Sequence, residues 1–323
     1  MKKKQYLQLT LWLMYILSLS LTGCNDSLDY EEIVKGEFYG GKKSIIYATN
    51  NDGIRIFYKI TSESEKTVAV TSEQMNGRYI RPIRISTGIT CNGVTYKVTA
   101  IGNRAFYHSE LSKLTIPNTI KEIGAEAFSG STLPEDLVIP NSVISIGENA
   151  FDHCTTFTSV KIPTKLKSIG PGAFGYCKSL KKITLPEGLE SISERAFIEC
   201  SSLTNVSFPN SIKNIGGSAF NGCSSISSII IPNGITIFVG TSFSNCSSLK
   251  SIEIPATVTH IWFRMYGYSN LTEFHCKGSS PPGCEENTFE DNFTSCILYV
   301  PYSSKSKYQS ATGWKSFGTI REE

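Results

Sequence analysis

The sequence predicts a β-rich solenoid, in which coils of roughly 23 residues stack so that their strands form a parallel sheet, with a different segment at each end. Three residue patterns predict this fold, because all of them recur at the same fixed interval. A fixed period of roughly 20–50 residues is typical of repeat proteins, whose units bury their apolar faces against one another. The patterns are an apolar residue before proline from Ile116-Pro117 to Ile254-Pro255, phenylalanine from Phe128 to Phe243, and cysteine from Cys154 to Cys246.

Each part of the repeat predicts one element of the coil. The repeat reads C-x-S-L-x-x-I-x-I-P-x-x-[VIL]-x-x-I-G-x-x-A-F-x-x. In L-x-x-I-x-I the last two apolar residues lie on one face of a strand, and the proline, which has no N–H, ends that strand. The Ile-Gly pair predicts a turn, and Ala-Phe-x-x-Cys predicts a short helical turn with one buried face. One coil alone cannot offset ordering costs of roughly 1.5 kcal/mol per residue, so the coils must stack.

The repeats predict nine strands in one parallel sheet, between two capping segments. Residues 37–96 predict a β-rich N-terminal cap, since Asn92-Gly93 between two alternating runs is a strong hairpin signal. Residues 97–276 carry the repeats, and residues 277–323 depart from them, as a C-terminal cap should. The predicted strands are 111–116, 134–139, 157–162, 180–185, 203–208, 226–231, 249–254, 271–276 and 295–300.

Residues 1–23 predict a lipoprotein signal peptide. Three lysines precede an uncharged run of 16 residues, which is shorter than the ~20 residues that a membrane-spanning helix needs. The run ends in Leu21-Thr22-Gly23-Cys24, which resembles the lipobox of bacterial lipoproteins. That resemblance implies that Cys24 is lipidated and that the chain is cut before it. An ordinary signal peptide and a retained anchor helix are the alternatives.

The residues after Cys24 predict a solvated tether. Residues 24–36 begin CNDSLDYEE, which is polar and acidic. Acidic residues at this place resemble the surface-export signals of lipoproteins in the Bacteroidota. The resemblance implies a lipid-anchored protein on the outer face of the outer membrane.

The repeat resembles the BspA-like leucine-rich repeats, a short-repeat class found in surface proteins of gut and oral bacteria. The resemblance covers residues 97–276, and the Leu-Tyr-Val-Pro strand near the C terminus resembles the closing segment of that family. It implies a leucine-rich-repeat solenoid and a role in adhesion, with partners that vary among members.

Net charge argues against a nucleic-acid partner. The chain has 31 basic and 28 acidic residues, and Lys2, Lys3 and Lys4 supply the whole excess of three. Outside residues 1–23, 28 basic residues face 28 acidic ones. Nucleic-acid binding needs a basic surface, so we expect none.

The recurring cysteine could be a metal ligand, a disulfide partner, a nucleophile or a core residue. Serine takes the same position in outer coils, at Ser109, Ser131 and Ser269. This exchange favours a small, buried, weakly hydrogen-bonding residue over a metal site or a nucleophile. Stacked coils lie within the ~4.4–6.8 Å that joins the Cα atoms of a disulfide, but Cβ vectors in such a row run parallel and five thiols cannot pair evenly. We therefore predict free, buried thiols.

Three further cysteines lie near the C terminus. An oxidising cell envelope would permit one disulfide among Cys276, Cys284 and Cys296. Cys276 occupies an ordinary core position of a strand, which favours free thiols.

The sequence contains no recognisable catalytic constellation. The four histidines are scattered and lack metal-binding spacing, and no G-x-S-x-G, Walker or G-x-G-x-x-G pattern occurs. Carboxylates such as Glu122, Glu148 and Glu194 fall in predicted solvated turns. We therefore predict a protein that is not an enzyme, with no catalytic residue, metal or cofactor.

Two surfaces are candidates for binding a protein or a glycan. The first is formed by outward strand positions, although any solvated sheet has this composition. The second is formed by aromatic residues in the segment 260–269, which could either stand exposed as a stacking platform or close the core at the end of the solenoid; we favour core closure. The candidate residues are Lys181, Lys182, Thr184, Thr204, Asn205, Ser207, Lys250 and Glu253 for the first surface, and Trp262 and Tyr268 for the second.

Together these features predict a lipid-anchored surface protein that acts as a non-catalytic binding or adhesion module for a host or microbial protein or glycan. The alternative is a structural component of an outer-membrane assembly that binds another protein of the same cell.

Overall fold

A computed structural model describes residues 33–38, 44–50, 53–72, 78–80, 82–289 and 291–323 of the chain, all within one compact unit. The predicted signal peptide and the lipidation of Cys24 lie outside these residues. The predicted tether, residues 24–36, extends too far along the chain, because residues 33–36 belong to a strand. None of the helices in the described ranges has the length and apolar character needed to cross a bilayer.

Six strands near the N terminus form a closed ring. Four antiparallel pairings and two parallel pairings join them in the order β1, β2, β3, β4, β7, β6 and back to β1. Closure leaves these strands without an open edge. The predicted hairpin is confirmed, since Asn92 and Gly93 join β6 to β7 with φ angles of 49° and 77°. The strands are β1 Ile33–Phe38, β2 Ile45–Thr49, β3 Arg55–Ser62, β4 Thr67–Thr71, β5 Ile83–Arg84 (outside the ring), β6 Gly88–Cys91 and β7 Val94–Ile101.

The strands at the predicted sheet positions run parallel in the predicted register of one repeat. We call them the first sheet, although their hydrogen-bonded ladders divide into groups of two (with β5), three and five strands. They are shorter than predicted, and the segment 203–208 keeps only a single bridge, between Asn205 and Lys182. A strand that the sequence did not predict, β23, extends the sheet beyond β22. The strands are β8 Leu114–Thr115, β10 Asp136–Leu137, β12 Ser159–Lys161, β14 Lys182–Thr184, β17 Ser228–Ile230, β19 Ser251–Ile254, β21 Glu273–Cys276, β22 Ile297–Val300 and β23 Thr319–Glu322.

The Ile-Gly segments form a second set of parallel strands, so the predicted turn at this position is wrong. The isoleucines point into the core, and the glycines allow successive coils to approach closely. A Cβ atom on Gly147 would lie 2.6 Å from the backbone nitrogen of Ala125. The strands of this second sheet are β9 Glu122–Ile123, β11 Ser145–Ile146, β13 Ser168–Ile169, β15 Ser191–Ile192, β16 Asn214–Ile215, β18 Ile237–Val239 and β20 His260–Trp262. They form three separate ladders, in which β9 and β11 continue from β7, β15 joins β13 to β16, and β18 pairs with β20.

The Ala-Phe-x-x-Cys segments form turns, and the described repeat residues contain no helix here. The prediction of a helical turn is therefore wrong. Two residues flanking Phe151, Asn149 and His153, have left-handed φ angles of 53° and 56°. The Phe151 N–H donates to the Ala173 carbonyl oxygen of the next coil at 2.8 Å, and the Cys154 N–H donates locally to the Phe151 carbonyl oxygen at 3.2 Å. Bonds between coils and local bonds across single turns therefore stabilise this segment together.

A column of phenylalanine rings fills the centre of the solenoid. Neighbouring rings are nearly parallel, with centroids 5.1–5.5 Å apart, and all of them are buried. Each ring covers the face of the ring before it, so the coils share one continuous core. The column comprises Phe106, Phe128, Phe151, Phe174, Phe197, Phe220 and Phe243.

A group of aromatic rings closes the core at the C-terminal end. Trp314 is fully buried and donates through Nε1 to the Pro282 carbonyl oxygen at 2.8 Å. Phe274 packs edge-on against Trp314 and Phe317. The helical segments here are the helix α1 Lys305–Ser310 and the 3-10 helices Asp291–Thr294 and Trp314–Ser316.

Candidate binding surface

The repeated cysteines are buried hydrogen-bond donors. The Cys154 thiol donates to the Phe128 carbonyl oxygen of the preceding coil, with sulfur and oxygen 3.0 Å apart. The other four make the same contact at 3.1–3.3 Å, and the Ser131 hydroxyl makes it with Phe106. At Ser131 the exchange of serine and cysteine therefore preserves one donor, as predicted, whereas Ser269 is exposed and does not take the place of the buried cysteine. The further cysteine donors are Cys177, Cys200, Cys223 and Cys246.

Burial favours the protonated form of four of these thiols. It raises the pKa of Cys154, Cys177 and Cys223 well above the ordinary range, and that of Cys246 to about 12. The thiolate is the form that attacks electrophiles and binds metals, so these sulfurs are poorly suited to either role. Among the described residues, no group of three or more His, Cys, Asp or Glu side chains is arranged to hold a metal ion.

Alkylation should separate the folded from the unfolded protein. We expect the five repeat thiols to resist iodoacetamide at pH 8 in the native protein and to react in ~8 M urea, because burial blocks access of the reagent to the sulfur. Peptide mass spectrometry measures the labelling of each cysteine, and the urea-unfolded protein gives the reference extent for each one. Rapid native labelling of Cys177 or Cys200 would contradict the stacked core.

The cysteines near the C terminus are also free, which confirms the favoured prediction. The Tyr308 hydroxyl donates to the Gly278 carbonyl oxygen at 2.7 Å and lies 3.0 Å from the Cys276 sulfur. Burial raises the pKa of Cys284 to about 11 and that of Cys296 to about 12. These thiols therefore belong to the packing of the C-terminal end.

The outward side chains of the first sheet form a continuous surface, which we call the polar face. Strand pairing aligns Ser159 with Lys182, and a bridge aligns Lys182 with Asn205. The alternate residues, such as Ile183 and Ile229, point into the core. The face therefore presents short hydroxyl and amide groups together with lysines. Its exposed predicted residues are Lys181, Lys182, Thr184, Thr204, Asn205, Ser207 and Lys250.

The eighth predicted residue of this surface, Glu253, lies in a network of ion pairs at the C-terminal end of the face. Lys277 Nζ is 3.4 Å from Glu253 and 2.6 Å from Glu323. Burial by itself would raise the pKa of Glu323, but hydrogen bonds from Lys277 and His275 more than offset it, and its pKa is lowered. The carboxylate of Glu253 is already partnered, so it is a weaker candidate for ligand contact than the lysines.

The aromatic segment divides between core and solvent. Tyr268 is only 2% exposed, and its hydroxyl donates to the Gly240 carbonyl oxygen at 2.8 Å. It is unavailable to a ligand, so its proposed place on a binding surface is wrong. Trp262 and Phe263 are 52% and 66% exposed, so core closure is wrong for them. Trp262 pairs with Val239 in the second sheet. Most earlier coils have glycine at this position, and the neighbouring backbone leaves no space there for a ring that points inward.

The sequence interpretation missed one residue of the polar face. Strand pairing aligns exposed Lys161 with Thr184, which places it on the same surface as Lys182. Lys161, Thr184 and Ser207 are separated by exact repeat lengths, and this spacing is the signal that could have found it.

Comparison with known families agrees with this geometry. The profile of the BspA type leucine rich repeat region matches residues 99–200 and 168–295, with six copies. The chain belongs to this family. The match covers more than half of the chain, and the stacked coils described above are the solenoid that its repeats form. No match was found among curated proteins.

The chain is similar to solved structures of bacterial leucine-rich repeat proteins. A leucine-rich repeat protein from Bacteroides ovatus is 23% identical with a TM-score of 0.51, over 83% of this chain and 88% of that one. A leucine rich cell surface protein from Faecalibacterium prausnitzii is 21% identical with a TM-score of 0.42, over 87% and 94%. The pneumococcal vaccine antigen PcpA is 19% identical with a TM-score of 0.49, over 86% and 98%. The first likeness supports the fold alone.

Proposed function

We propose that this BspA-type leucine-rich repeat protein is a lipid-anchored, non-catalytic binding module on the bacterial surface, and that its ligand is a protein or glycan of a host or another microbe. The observation that carries the proposal is the polar face. Exposed side chains recur in register over consecutive coils, from Lys161 and Lys182 to Asn205 and Ser228. Such a surface is long and open, as the binding surfaces of solenoids are.

The chemistry of the polar face supports binding rather than catalysis. Its hydroxyl, amide and ammonium groups can donate and accept hydrogen bonds. The thiols, which would be the strongest nucleophiles, instead donate to backbone carbonyls inside the core. Catalysis by a thiol needs an accessible thiolate beside a base.

The N-terminal sequence supports surface anchoring. Leu21-Thr22-Gly23-Cys24 has the lipobox pattern, and the family occurs in bacterial surface proteins. One acyl chain gives only marginal membrane attachment, whereas two or more make it stable. Acylation of both the Cys24 thiol and the new amino terminus would therefore hold the protein in the membrane.

Adhesion of intact cells tests this function. We expect cells that produce the protein to adhere to host mucus or to partner bacteria, and Asn205→Trp to reduce that adhesion at least fivefold. The bulky ring would stand on the polar face and exclude a ligand from it. Adhesion is counted by microscopy after washing, and protease treatment of intact cells should release the protein and abolish adhesion.

The matched control is Asn214→Trp, the same change at an exposed residue of the same coil on the second sheet. It should leave adhesion unchanged. Full protection of the protein from protease would contradict the proposal and favour a structural role inside an outer-membrane assembly. Equal loss of adhesion in both variants would remove the polar face from the mechanism.

A further inference from the structure

Positive charge is concentrated in two successive coils. Residues 153–186 contain six lysines and no aspartate or glutamate, in a chain whose charge is balanced beyond the predicted signal peptide. Three of these lysines, Lys161, Lys181 and Lys182, are exposed on the polar face. Lys161 and Lys182 lie on adjacent strands, β12 and β14, whose spacing in a sheet is about 4.8 Å.

Several lysines elsewhere on the solenoid are paired with carboxylates. On the second sheet, Glu190 lies between Lys167 and Lys213, at 3.3 and 2.8 Å. At the C-terminal end of the polar face, Lys277 pairs with Glu323. These pairings show that the repeat readily places a carboxylate beside a lysine one coil away.

Lys161, Lys181 and Lys182 have no such partner among the described residues, and neither does Lys250 farther along the polar face. Within the described part of the chain, no carboxylate forms an ion pair with their ammonium groups. The acidic residues 135 and 136 are two coils from Lys181 and Lys182, with Thr158 and Ser159 between them. They lie at the start of the strand next to that of Lys161 but form no ion pair with it. Clustered ammonium groups repel one another, so an anionic ligand would relieve this repulsion.

The surface beside the lysines indicates which anion fits. Thr184, Thr204, Asn205 and Ser207 are exposed and short, and they offer hydroxyl and amide groups beside the lysines. Apolar Val138 and Ile230 are exposed at the equivalent position one coil before and one coil after this polar stretch. Protein interfaces are instead enriched in aromatic residues, methionine and arginine at their centres, and depleted in lysine. A chain that carries both hydroxyl and anionic groups matches this surface better than an acidic protein does.

We infer that the polar face binds an acidic polysaccharide. Lys161, Lys181 and Lys182 contact its carboxylate or sulfate groups, and the neighbouring hydroxyl and amide side chains bind sugar hydroxyls. This inference rests on the proposed binding function and specifies the class of ligand. Because the contacts are exposed ion pairs, the affinity falls as salt is raised.

Binding of defined polymers to the purified full-length protein tests the inference. The variant replaces Lys161, Lys181 and Lys182 by glutamine, and the control replaces three exposed lysines of other surfaces, Lys59→Gln, Lys97→Gln and Lys121→Gln. The net charge change is the same. The immobilised probes are dextran sulfate, polygalacturonate, neutral dextran and poly-glutamate, with affinities measured by biolayer interferometry at roughly 0.05 and 0.5 M salt.

We expect dextran sulfate, polygalacturonate or both to bind, the polar-face variant to bind at least tenfold more weakly, and the control variant to bind like the natural chain. Equal loss in both variants would overturn the inference, because it would indicate attraction by net charge alone. Absence of binding to either anionic polysaccharide would also overturn it.

Two outcomes separate this inference from the proposed function. Binding of neutral dextran, or preference for poly-glutamate over both anionic polysaccharides, would overturn the acidic-polysaccharide assignment. If Asn205→Trp reduced the binding of neutral dextran or poly-glutamate, the polar face would remain a binding surface for another class of ligand. Failure of the cell-adhesion experiment would instead remove the proposed function itself.

Discussion

Phe174→Ala is expected to lower the free energy of unfolding by about 3–5 kcal/mol, the usual cost of deleting a buried phenyl ring. Phe174 is fully buried, and its ring centroid lies 5.1 Å from that of Phe151 and 5.5 Å from that of Phe197. Removing the ring leaves a cavity and breaks both stacking contacts. Because each coil is stabilised mainly by its neighbours, the loss falls on two coil interfaces at once. Urea denaturation followed by circular dichroism measures the change.

Phe263→Ala is the control for this substitution. The Phe263 ring is two-thirds exposed and lies near the C-terminal end of the repeats. Its removal should change the free energy of unfolding by no more than about 0.5 kcal/mol, as is usual for surface sites. Equal destabilisation by the two variants would contradict the buried column of rings.

Gly147→Ala is expected to destabilise the protein by about 1–3 kcal/mol, the range for overpacking a well-packed core. The new Cβ atom would lie 2.6 Å from the Ala125 nitrogen and 2.7 Å from the Gly124 carbonyl carbon. Both are backbone atoms and cannot move aside by a change of rotamer. Two coils must therefore separate, which weakens the hydrogen bond of 2.8 Å from the Gly147 N–H to the Ile123 carbonyl oxygen. Thermal and urea unfolding should both report the loss.

Gly188→Ala is the matched control. Its new Cβ atom would approach nothing closer than the Lys167 ammonium group, at 3.7 Å. This change should be neutral or stabilising by up to about 1 kcal/mol, because alanine restricts the unfolded chain. If Gly147→Ala were equally harmless, the close approach of the coils through their glycines would be wrong.

Residues with a strong local signal were predicted well. The first-sheet strands appear at the predicted interval because apolar alternation and the following proline act within a few residues. The hairpin at Asn92-Gly93 is confirmed because few other residues tolerate two successive left-handed positions. The role of Cys154 as a buried donor was predicted from its exchange with serine in other coils, because both residues have a small side chain that can donate a hydrogen bond.

The second sheet was missed because its strands carry almost no periodic signal. In β11 and β13 only Ile146 and Ile169 face the core, and two-residue strands are too short to show alternation. Their hydrogen bonds come from other coils. Glycine beside them suggested a bend, although in the structure its small size serves contact between coils.

The candidate binding surface was predicted in part. Register placed Lys182 and Asn205 on one face, and the same spacing would have added Lys161. The aromatic residues of the segment 260–269 could not be assigned this way, because the repeat is broken there. Composition cannot distinguish Tyr268, which is buried, from Trp262, which is exposed.

The sequence alone determined the length of the coil, the parallel stacking and the chemistry of the cysteine position, since identical units must make identical contacts with their neighbours. Only the tertiary structure decided that the N-terminal strands close into a ring, that a second sheet exists, and which rings and lysines face solvent without a partner. These features depend on atoms that are distant in sequence and close in space. The sequence pattern of a coil predicts which side chains are buried. The packing of the coils determines which of the other side chains are exposed and able to bind a ligand.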